Sequence, residues 1–244
     1  MAINYLSGSL DKVLIGWYWG AAPLGLYDRA QRVHLLPIQN LNMPLANVAL
    51  AALSRLIDQP ARYRQVYFAA VERIGMLVSP LGGLLVAAAA PFVRLILGPQ
   101  WEEAVPILTW MSAALAYLPV SYAVSWLFMS QDRTPEMLRA GLANSAIVVA
   151  GVAAGLPFGP EGVAAAYVLT GATLRMPLML WFAGRRGPMR TADLWRAILM
   201  PAVAGAAVAA AVWLARTWGG LARLDAGAPI EFGSQIAEQL EMRL

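Results

Sequence analysis

The chain has 244 residues, of which 59% are hydrophobic and 13% charged, and its formal net charge is +4. An ordinary soluble domain carries about 25% charged residues, so this composition cannot cover a water-facing surface. The positive charge lies between apolar stretches rather than on one face, which argues against nucleic acid as a partner. Without cysteine, disulfides are excluded, and a single histidine disfavours a zinc or haem centre.

Seven apolar stretches approach the length of about 20 residues that a helix needs to cross a bilayer. We therefore predict an all-α fold, a polytopic transmembrane helix bundle of about seven spans within residues 1–218. A polar tail without a span follows at residues 219–244. The predicted spans are 3–20, 33–53, 74–97, 104–129, 138–157, 162–183 and 195–217.

Arginine alternates between the six connections that separate these spans. The second, fourth and sixth connections, with the span ends next to them, hold ten arginines, whereas the first, third and fifth with their span ends hold three, Arg29, Arg32 and Arg94. Cytoplasmic connections of membrane proteins carry the excess of Lys and Arg. This pattern predicts a multi-pass protein of the bacterial cytoplasmic (inner) membrane with its N-terminus on the cytoplasmic side.

The first span carries two charges near its middle, Asp11 and Lys12. Ionisable residues at membrane depth are costly, and they are functional candidates by default. One interpretation is a structural ion pair or a segment that does not cross the membrane. The other is the wall of a cavity, in which a carboxylate could also bind a coupling cation.

Polar groups also mark the start of the second span. Arg29 and Arg32 precede it, and an arginine fork matches phosphate oxygens. Gln39 and Asn40 lie within it, beside Pro37, and amides at this depth need polar partners. We interpret these four polar residues as candidates for a substrate cavity. An ordinary interfacial arginine is the alternative interpretation, and it applies more to Arg32 than to Arg29.

Two further features of the sequence concern the boundary between membrane and water. Arg175 in the sixth span could extend its side chain to the cytoplasmic boundary or face the same cavity. Residues 54–73 of the second connection predict an amphipathic helix that lies on the membrane surface. No nucleophile, phosphate-loop or dinucleotide motif is present, so the chain is not predicted to be an enzyme.

Several motifs, in this order, resemble the second half of bacterial polysaccharide flippases. The similar sequences belong to the polysaccharide biosynthesis branch of the multidrug/oligosaccharidyl-lipid/polysaccharide exporter superfamily, and the resemblance covers about residues 1–218. The motifs that carry it are residues 4–7 (NYLS) with 10–11 (LD) and 14–16 (LIG), 24–30 (LGLYDRA), 36–40 (LPIQN), 51–55 (AALSR), 97–101 (LGPQW) with 104–106 (AVP), and 159–167 (GPEGVAAAY).

The resemblance implies one lobe of a two-lobed exporter that turns a polyprenyl-diphosphate-linked oligosaccharide from the inner to the outer leaflet. Asp11, Arg29, Gln39 and Asn40 are the positions that it marks as cavity or motif residues. The partners would be the bilayer, the lipid-linked glycan, and a missing N-terminal half or a second chain. No cofactor is implied, apart from a coupling ion such as H⁺ or Na⁺.

Three alternatives remain open. A multidrug cation exporter of the same superfamily would need an acidic, aromatic-lined cavity, and acids at cavity depth are nearly limited to Asp11. A membrane glycosyltransferase or polymerase would need a large outer loop with acids, whereas the longest connection is predicted to be cytoplasmic. An inactive fragment or scaffold is the third, because the family carries roughly twelve to fourteen spans.

Overall fold

The computed structural model describes residues 2–218, with side chains for residues 10–40 and 45–217. This part of the chain is almost entirely helical and contains no strand, so the all-α prediction is confirmed. The predicted tail, 219–244, lies outside the described residues. The helices are α1 (Ala2–Trp19), α2 (Ala21–Ser54), α3 (Pro60–Ala87), α4 (Ala89–Phe92), α5 (Val105–Ala113), α6 (Leu118–Ser130), α7 (Thr134–Gly155), α8 (Gly159–Thr170), α9 (Met176–Gly184) and α10 (Thr191–Trp218).

Shorter irregular helical turns join some of these elements. A π-helical turn, Val93–Leu97, follows α4, and a second one, Gly171–Arg175, joins α8 to α9. Turns of 3-10 helix lie at Pro99–Ala104, Ala114–Ala116 and Leu156–Phe158. These turns interrupt the regular hydrogen bonding of long apolar segments, so the neighbouring helices bend rather than run straight.

Three helical stretches are long and apolar enough to cross a membrane: Pro60–Ala87, Thr134–Gly184 and Thr191–Thr217. A fourth arises if the segments Pro99–Ala116 and Leu118–Ser130, bent by 48°, form one span. The molecule is therefore a helical bundle of membrane type, and the count of seven spans stays a prediction. The stretch Thr134–Gly184 folds back on itself, because Gly155 lies against Gly162 and Ala166.

The arginine-rich connections meet at one end of the bundle. Arg64 at the start of α3 forms an ion pair with Asp193 at the start of α10. The Tyr63 hydroxyl lies 2.6 Å from the hydroxyl of Ser130, where α6 ends. Arg133 donates to the carbonyl of Ala183 at 3.1 Å, near the end of α9. We call this the arginine-rich end.

The arginine-poor connections meet at the other end, which we call the opposite end. The Trp19 indole N–H donates to the Leu156 carbonyl at 2.8 Å, so the turn after α1 contacts the turn after α7. The guanidinium of Arg29 lies 5.1 Å from the centre of the Trp101 ring, which joins the start of α2 to the third predicted connection. The two sets of connections are thus separated in space as the arginine pattern predicts.

Two apolar clusters hold the bundle together. One includes Tyr67, Leu127 and Leu180, which lie in the half of the bundle toward the arginine-rich end, and it extends along α3 to Leu85. The other includes Ile15, Tyr27 and Leu108 and lies toward the opposite end. Members of both clusters line the cavity described below, Phe128 from the first and Val148 from the second.

The predicted surface helix at residues 54–73 is wrong. The chain turns after α2, and α3 then runs without a break from Pro60 to Ala87. Its predicted membrane-facing side packs against protein instead, since Tyr63 and Tyr67 are both 0% exposed. An amphipathic pattern shows that a helix has an apolar face, but it does not show whether lipid or another helix covers that face.

Candidate functional site

A cavity of about 380 Å³ extends from the middle of the bundle toward the arginine-rich end. Asp11 and Arg175 line it at mid-depth, and Phe128 and Met137 line it nearer the arginine-rich end. Neutral polar groups line much of the remaining wall. They are Gln31, Ser121, Tyr122, Ser125, Asn144, Ser145 and Tyr167.

Asp11 is 4% exposed and is held by hydrogen bonds rather than by a cation. The hydroxyl of Tyr27 donates to its carboxylate at 2.9 Å, and the Gln31 side chain donates at 3.4 Å. The backbone N–H of Lys12 donates at 2.8 Å. No salt bridge to Asp11 is present among the described residues. Tyr27 and Gln31 are four residues apart on α2, so they present both donors from one helix face.

Arg175 is 8% exposed and ends the π-helical turn between α8 and α9. Its guanidinium lies 4.0 Å from the centre of the Tyr167 ring, and one amino group donates to the Tyr167 carbonyl at 2.6 Å. Its Nε is buried without a hydrogen-bond partner. The hydroxyl of Ser145, on the same cavity wall, is likewise buried and unpartnered. Buried donors of this kind normally have partners, so they mark a place where a ligand or water fits.

A smaller cavity of about 190 Å³ adjoins the first one and shares Gln31, Tyr122 and Tyr167 with it. His34 lines this smaller cavity, is 4% exposed, and has an unpartnered Nδ1. Polar groups therefore continue along α2 beyond the main cavity. His34 was not predicted as a site residue from the sequence.

The structure brings two of the predicted site residues, Asp11 and Arg175, into the same cavity. It directs Lys12 elsewhere, since the Lys12 ammonium lies 2.6 Å from Asp28. Asp28 also binds Arg32 at 2.7 Å, one turn further along α2. These two cations hold the pKa of the Asp28 carboxyl below its usual value, mainly through the hydrogen bond from Lys12.

Three other predicted site residues lie outside the cavity walls. Arg29 stacks on Trp101 at the opposite end, as described above. Gln39 and Asn40 are exposed on α2, and the Asn40 amide donates to the Leu36 carbonyl of its own helix at 2.9 Å. The substrate-binding role of all these residues, including Asp11 and Arg175, stays a prediction.

Most of the neutral polar wall was missed by reading the sequence. A helical spacing could have found part of it, because Ser121 and Ser125 are four residues apart, as are Gly141 and Ser145. Single hydroxyls and amides in apolar helices are nevertheless too common to mark a cavity without the fold.

A family model described as polysaccharide biosynthesis protein matches residues 1–106. The first 106 residues of the chain are therefore similar to this polysaccharide biosynthesis family. The family match includes the Asp11 side of the cavity and ends before the segment that holds Arg175.

Three curated proteins are similar to the chain. The teichuronic acid biosynthesis protein TuaB of Bacillus subtilis (strain 168) is 27% identical over 106 residues, which is 43% of this chain and 22% of that protein. The lipopolysaccharide biosynthesis protein WzxC of Escherichia coli (strain K12) is 26% identical over 159 residues, 63% of this chain and 32% of that protein.

The third relative is an uncharacterized membrane protein in the cps region of Klebsiella pneumoniae, 26% identical over 137 residues. That alignment covers 56% of this chain and 28% of the relative. The matched segments therefore span about a third or less of the length of these relatives. No solved structure matches the chain.

Proposed function

We propose that the chain forms one lobe of a transporter that moves polyprenyl-diphosphate-linked oligosaccharide from the inner to the outer leaflet of the bacterial inner membrane. The observation that supports it most directly is the buried Arg175, whose Nε lacks a partner at the wall of a cavity. The family, named for polysaccharide biosynthesis, supplies the substrate class.

The side chains that line the cavity are chemically suited to the phosphate and sugar groups of such a substrate. A buried guanidinium without a carboxylate partner is costly in a medium of low dielectric constant, and a phosphate group would offset that cost. The hydroxyls of Ser121 and Ser125 and the amide of Asn144 can exchange hydrogen bonds with sugar hydroxyls. The prenyl tail would stay in the bilayer, outside the cavity.

Translocation in this proposal needs a second lobe. Alternating access requires two bundles that rock around a site between them. The residues that line the cavity described here would then form one side of that site. The site would be exposed to each face of the membrane in turn. No covalent bond is made or broken in this role, so the proposed activity is transport rather than catalysis.

Binding of a lipid diphosphate to the full chain tests the proposal, because affinity of one lobe does not require the rocking of two. The chain in nanodiscs would be titrated with a fluorescent short polyprenyl-diphosphate disaccharide. We expect Arg175→Gln to weaken binding roughly 10- to 100-fold, the value of a charge-assisted hydrogen bond to a buried group. Arg62→Gln, at an exposed arginine outside the cavity, should leave the affinity unchanged.

Two results would contradict the proposal. One is equal affinity of the wild type and Arg175→Gln for the diphosphate lipid. The other is binding of a cationic dye in its place, which would favour the multidrug exporter. The same titration on Arg29→Ala decides whether that arginine, placed by the structure beside Trp101, takes part in binding.

A further inference from the structure

The smaller cavity, of about 190 Å³, differs from the main one in the charge of its lining. The main cavity has Asp11 and Arg175, whereas no Asp, Glu, Lys or Arg is among the described residues that line the smaller cavity. Aromatic rings and apolar side chains form most of its lining, among them Tyr27, Met111 and Val168. A charged group that entered this cavity would meet no counter-ion, and burying a charge without one is costly.

Two side chains of α2 give the smaller cavity its hydrogen-bonding capacity. His34 is 4% exposed, and its Nδ1 has no hydrogen-bond partner. Gln31 lies three residues earlier, on the same face of the helix, and donates one amide hydrogen to Asp11. An imidazole and an amide together offer both donors and acceptors. The cavity therefore combines an apolar lining with two polar side chains.

The size and chemistry of the smaller cavity suit a single sugar ring. Its volume of about 190 Å³ corresponds to roughly six waters at about 30 Å³ each, which is too small for a disaccharide. A sugar ring has hydroxyls around its edge and C–H groups on its faces, and such a ligand matches a few polar groups set among aromatic rings. An entirely apolar ligand would leave Nδ1 of His34 without a partner. A metal ion is disfavoured, since the described residues contain no group of three side chains that could hold one.

The position of the smaller cavity relates it to the candidate phosphate site. It shares Gln31, Tyr122 and Tyr167 with the main cavity. The ring of Tyr167 also lies 4.0 Å from the guanidinium of Arg175. The same tyrosine thus contacts the candidate phosphate-binding side chain and lines the smaller cavity. A molecule that binds Arg175 through a phosphate can place a neighbouring sugar there.

We propose that the smaller cavity binds one uncharged sugar ring of the transported glycan and rejects an acidic one. This inference rests on the proposed function, since the sugar and the diphosphate at Arg175 would belong to the same molecule. His34 and Gln31 exchange hydrogen bonds with the sugar hydroxyls, while the aromatic rings cover its C–H faces. A uronic acid would bring a carboxylate into a lining without a cation, and its affinity would be lower by roughly tenfold or more.

The single histidine of the chain gives a direct readout of this binding. The full chain, without a histidine tag and with isotope-labelled histidine, would be studied by NMR in nanodiscs, which avoid the sugar head groups of glycoside detergents. The probes are the methyl glycosides of glucose, galactose and N-acetylglucosamine, and the matched acids are those of glucuronic and galacturonic acid. At constant pH, we expect at least one neutral glycoside to shift the His34 imidazole signals saturably. Its matched acid should bind roughly tenfold more weakly or not at all.

A variant that fills the smaller cavity tests where the glycoside binds. Ala114 lines this cavity but not the main one, so Ala114→Leu keeps both His34 and the main-cavity lining. We expect it to lower the affinity for the neutral glycoside by roughly tenfold or more, because the added side chain excludes the ring. Ser112→Ala is the matched control and should bind as the wild type. Ser112 is also buried, and its hydroxyl is unpartnered, but it lines neither cavity.

A second variant covers the case in which Ala114→Leu does not fold, as judged by circular dichroism. His34→Phe keeps an aromatic ring but removes the polar nitrogens, and calorimetry with the same glycoside replaces the NMR signal. We expect a roughly tenfold loss of affinity, the value of one hydrogen bond to a buried group. Wild-type affinity in a folded Ala114→Leu or His34→Phe would overturn the inference.

The outcomes separate this inference from the proposed function. Equal binding of the neutral glycosides and their matched acids would overturn the inference, as would the absence of saturable binding of every neutral glycoside. Neither result changes the test of the proposed function, which depends on the diphosphate lipid and Arg175. Conversely, a neutral glycoside that binds at His34 supports the sugar site, even if Arg175→Gln binds the diphosphate lipid as the wild type does and the proposed function fails.

Discussion

At the scale of single residues, aromatic neighbours explain how the two buried charges are tolerated. Tyr27 supplies a hydroxyl to Asp11, and Tyr167 supplies both its ring face and its carbonyl to Arg175. A tyrosine combines an apolar body with a polar group, so it can pack in the core and still solvate a charge. Each charge is thereby held without a counter-ion that would compete with a ligand.

Asp28 gives a prediction of pH dependence at this scale. Because Lys12 and Arg32 lower the pKa of its carboxyl, the ion pairs stabilise the fold above the unfolded-state pKa of about 4 and are lost as the pH falls through the lower folded-state value. We expect the melting temperature of the wild type to fall more steeply below about pH 4 than that of Asp28→Asn.

Thermal melting of both proteins in the same detergent, from neutral pH down to acid pH, measures this difference. The two curves should converge at acid pH, where the carboxylate is neutral in the wild type as well. Parallel curves over the whole range would show that the Lys12–Asp28–Arg32 ion pairs contribute nothing measurable to stability, as is common for pairs near a surface.

The sequence predicted the residues of the cavity unevenly, for a physical reason. Asp11 stood out because a carboxylate in an apolar span is costly wherever it points. The direction of Arg175 remained open, because one residue of a helix turns the side chain by about 100° and a π-helical turn adds a further residue. Gln31, Tyr122 and Ser145 were missed, since neutral polar groups carry no comparable cost.

At the scale of the helices, close packing of α3 against α10 explains their alignment. The two run in the same direction, because Arg64 pairs with Asp193 near their starts and Gly83 approaches Gly205 further along. Small residues let helix backbones approach closely, and in lipid this packing replaces the hydrophobic driving force. A side chain at position 83 would meet the backbone carbonyl of Gly205.

We therefore expect Gly83→Ala to destabilise the bundle by roughly 1–3 kcal/mol, the usual cost of overpacking a tight contact. Unfolding in mixed micelles of a mild detergent and dodecyl sulfate measures it. Gly25→Ala is the matched control, since an added methyl at Gly25 meets no atom within 4 Å and improves helix propensity. Equal stability of the two variants would mean that α3 and α10 are not in the contact described here.

The boundaries of elements were the weaker part of the prediction from sequence. Arg29 and Arg32 were placed in a connection, yet α2 runs through both of them from Ala21 to Ser54. Average hydropathy falls wherever charges occur, whether the backbone turns there or continues as a helix. The burial of Tyr63 and Tyr67 was equally hidden, because the packing partners lie on distant segments of the chain.

At the scale of the whole molecule, the alternation of arginine is matched by the arrangement of the connections. The ion pair between Arg64 and Asp193 joins two arginine-rich connections. The hydrogen bond from Trp19 to Leu156 joins two arginine-poor connections. The main cavity reaches from mid-depth toward the arginine-rich end. If that end is cytoplasmic, as the excess of arginine predicts, the described conformation has its cavity on the inner side.

The absence of cysteine from the chain makes this orientation directly testable. Asp58 is exposed at the arginine-rich end, and Glu161 is exposed at the opposite end, so each can be replaced by a single cysteine. We expect a membrane-impermeant maleimide added to intact cells with a permeable outer membrane to label Glu161→Cys and to spare Asp58→Cys. After the inner membrane is opened with a mild detergent, both variants should label, which controls for reactivity.

Labelling of Asp58→Cys in intact cells would reverse the orientation and place the cavity on the outer side. An inner-facing cavity is the state that can receive a lipid-linked glycan from the leaflet in which it is made, so this result also sets the direction of the proposed transport.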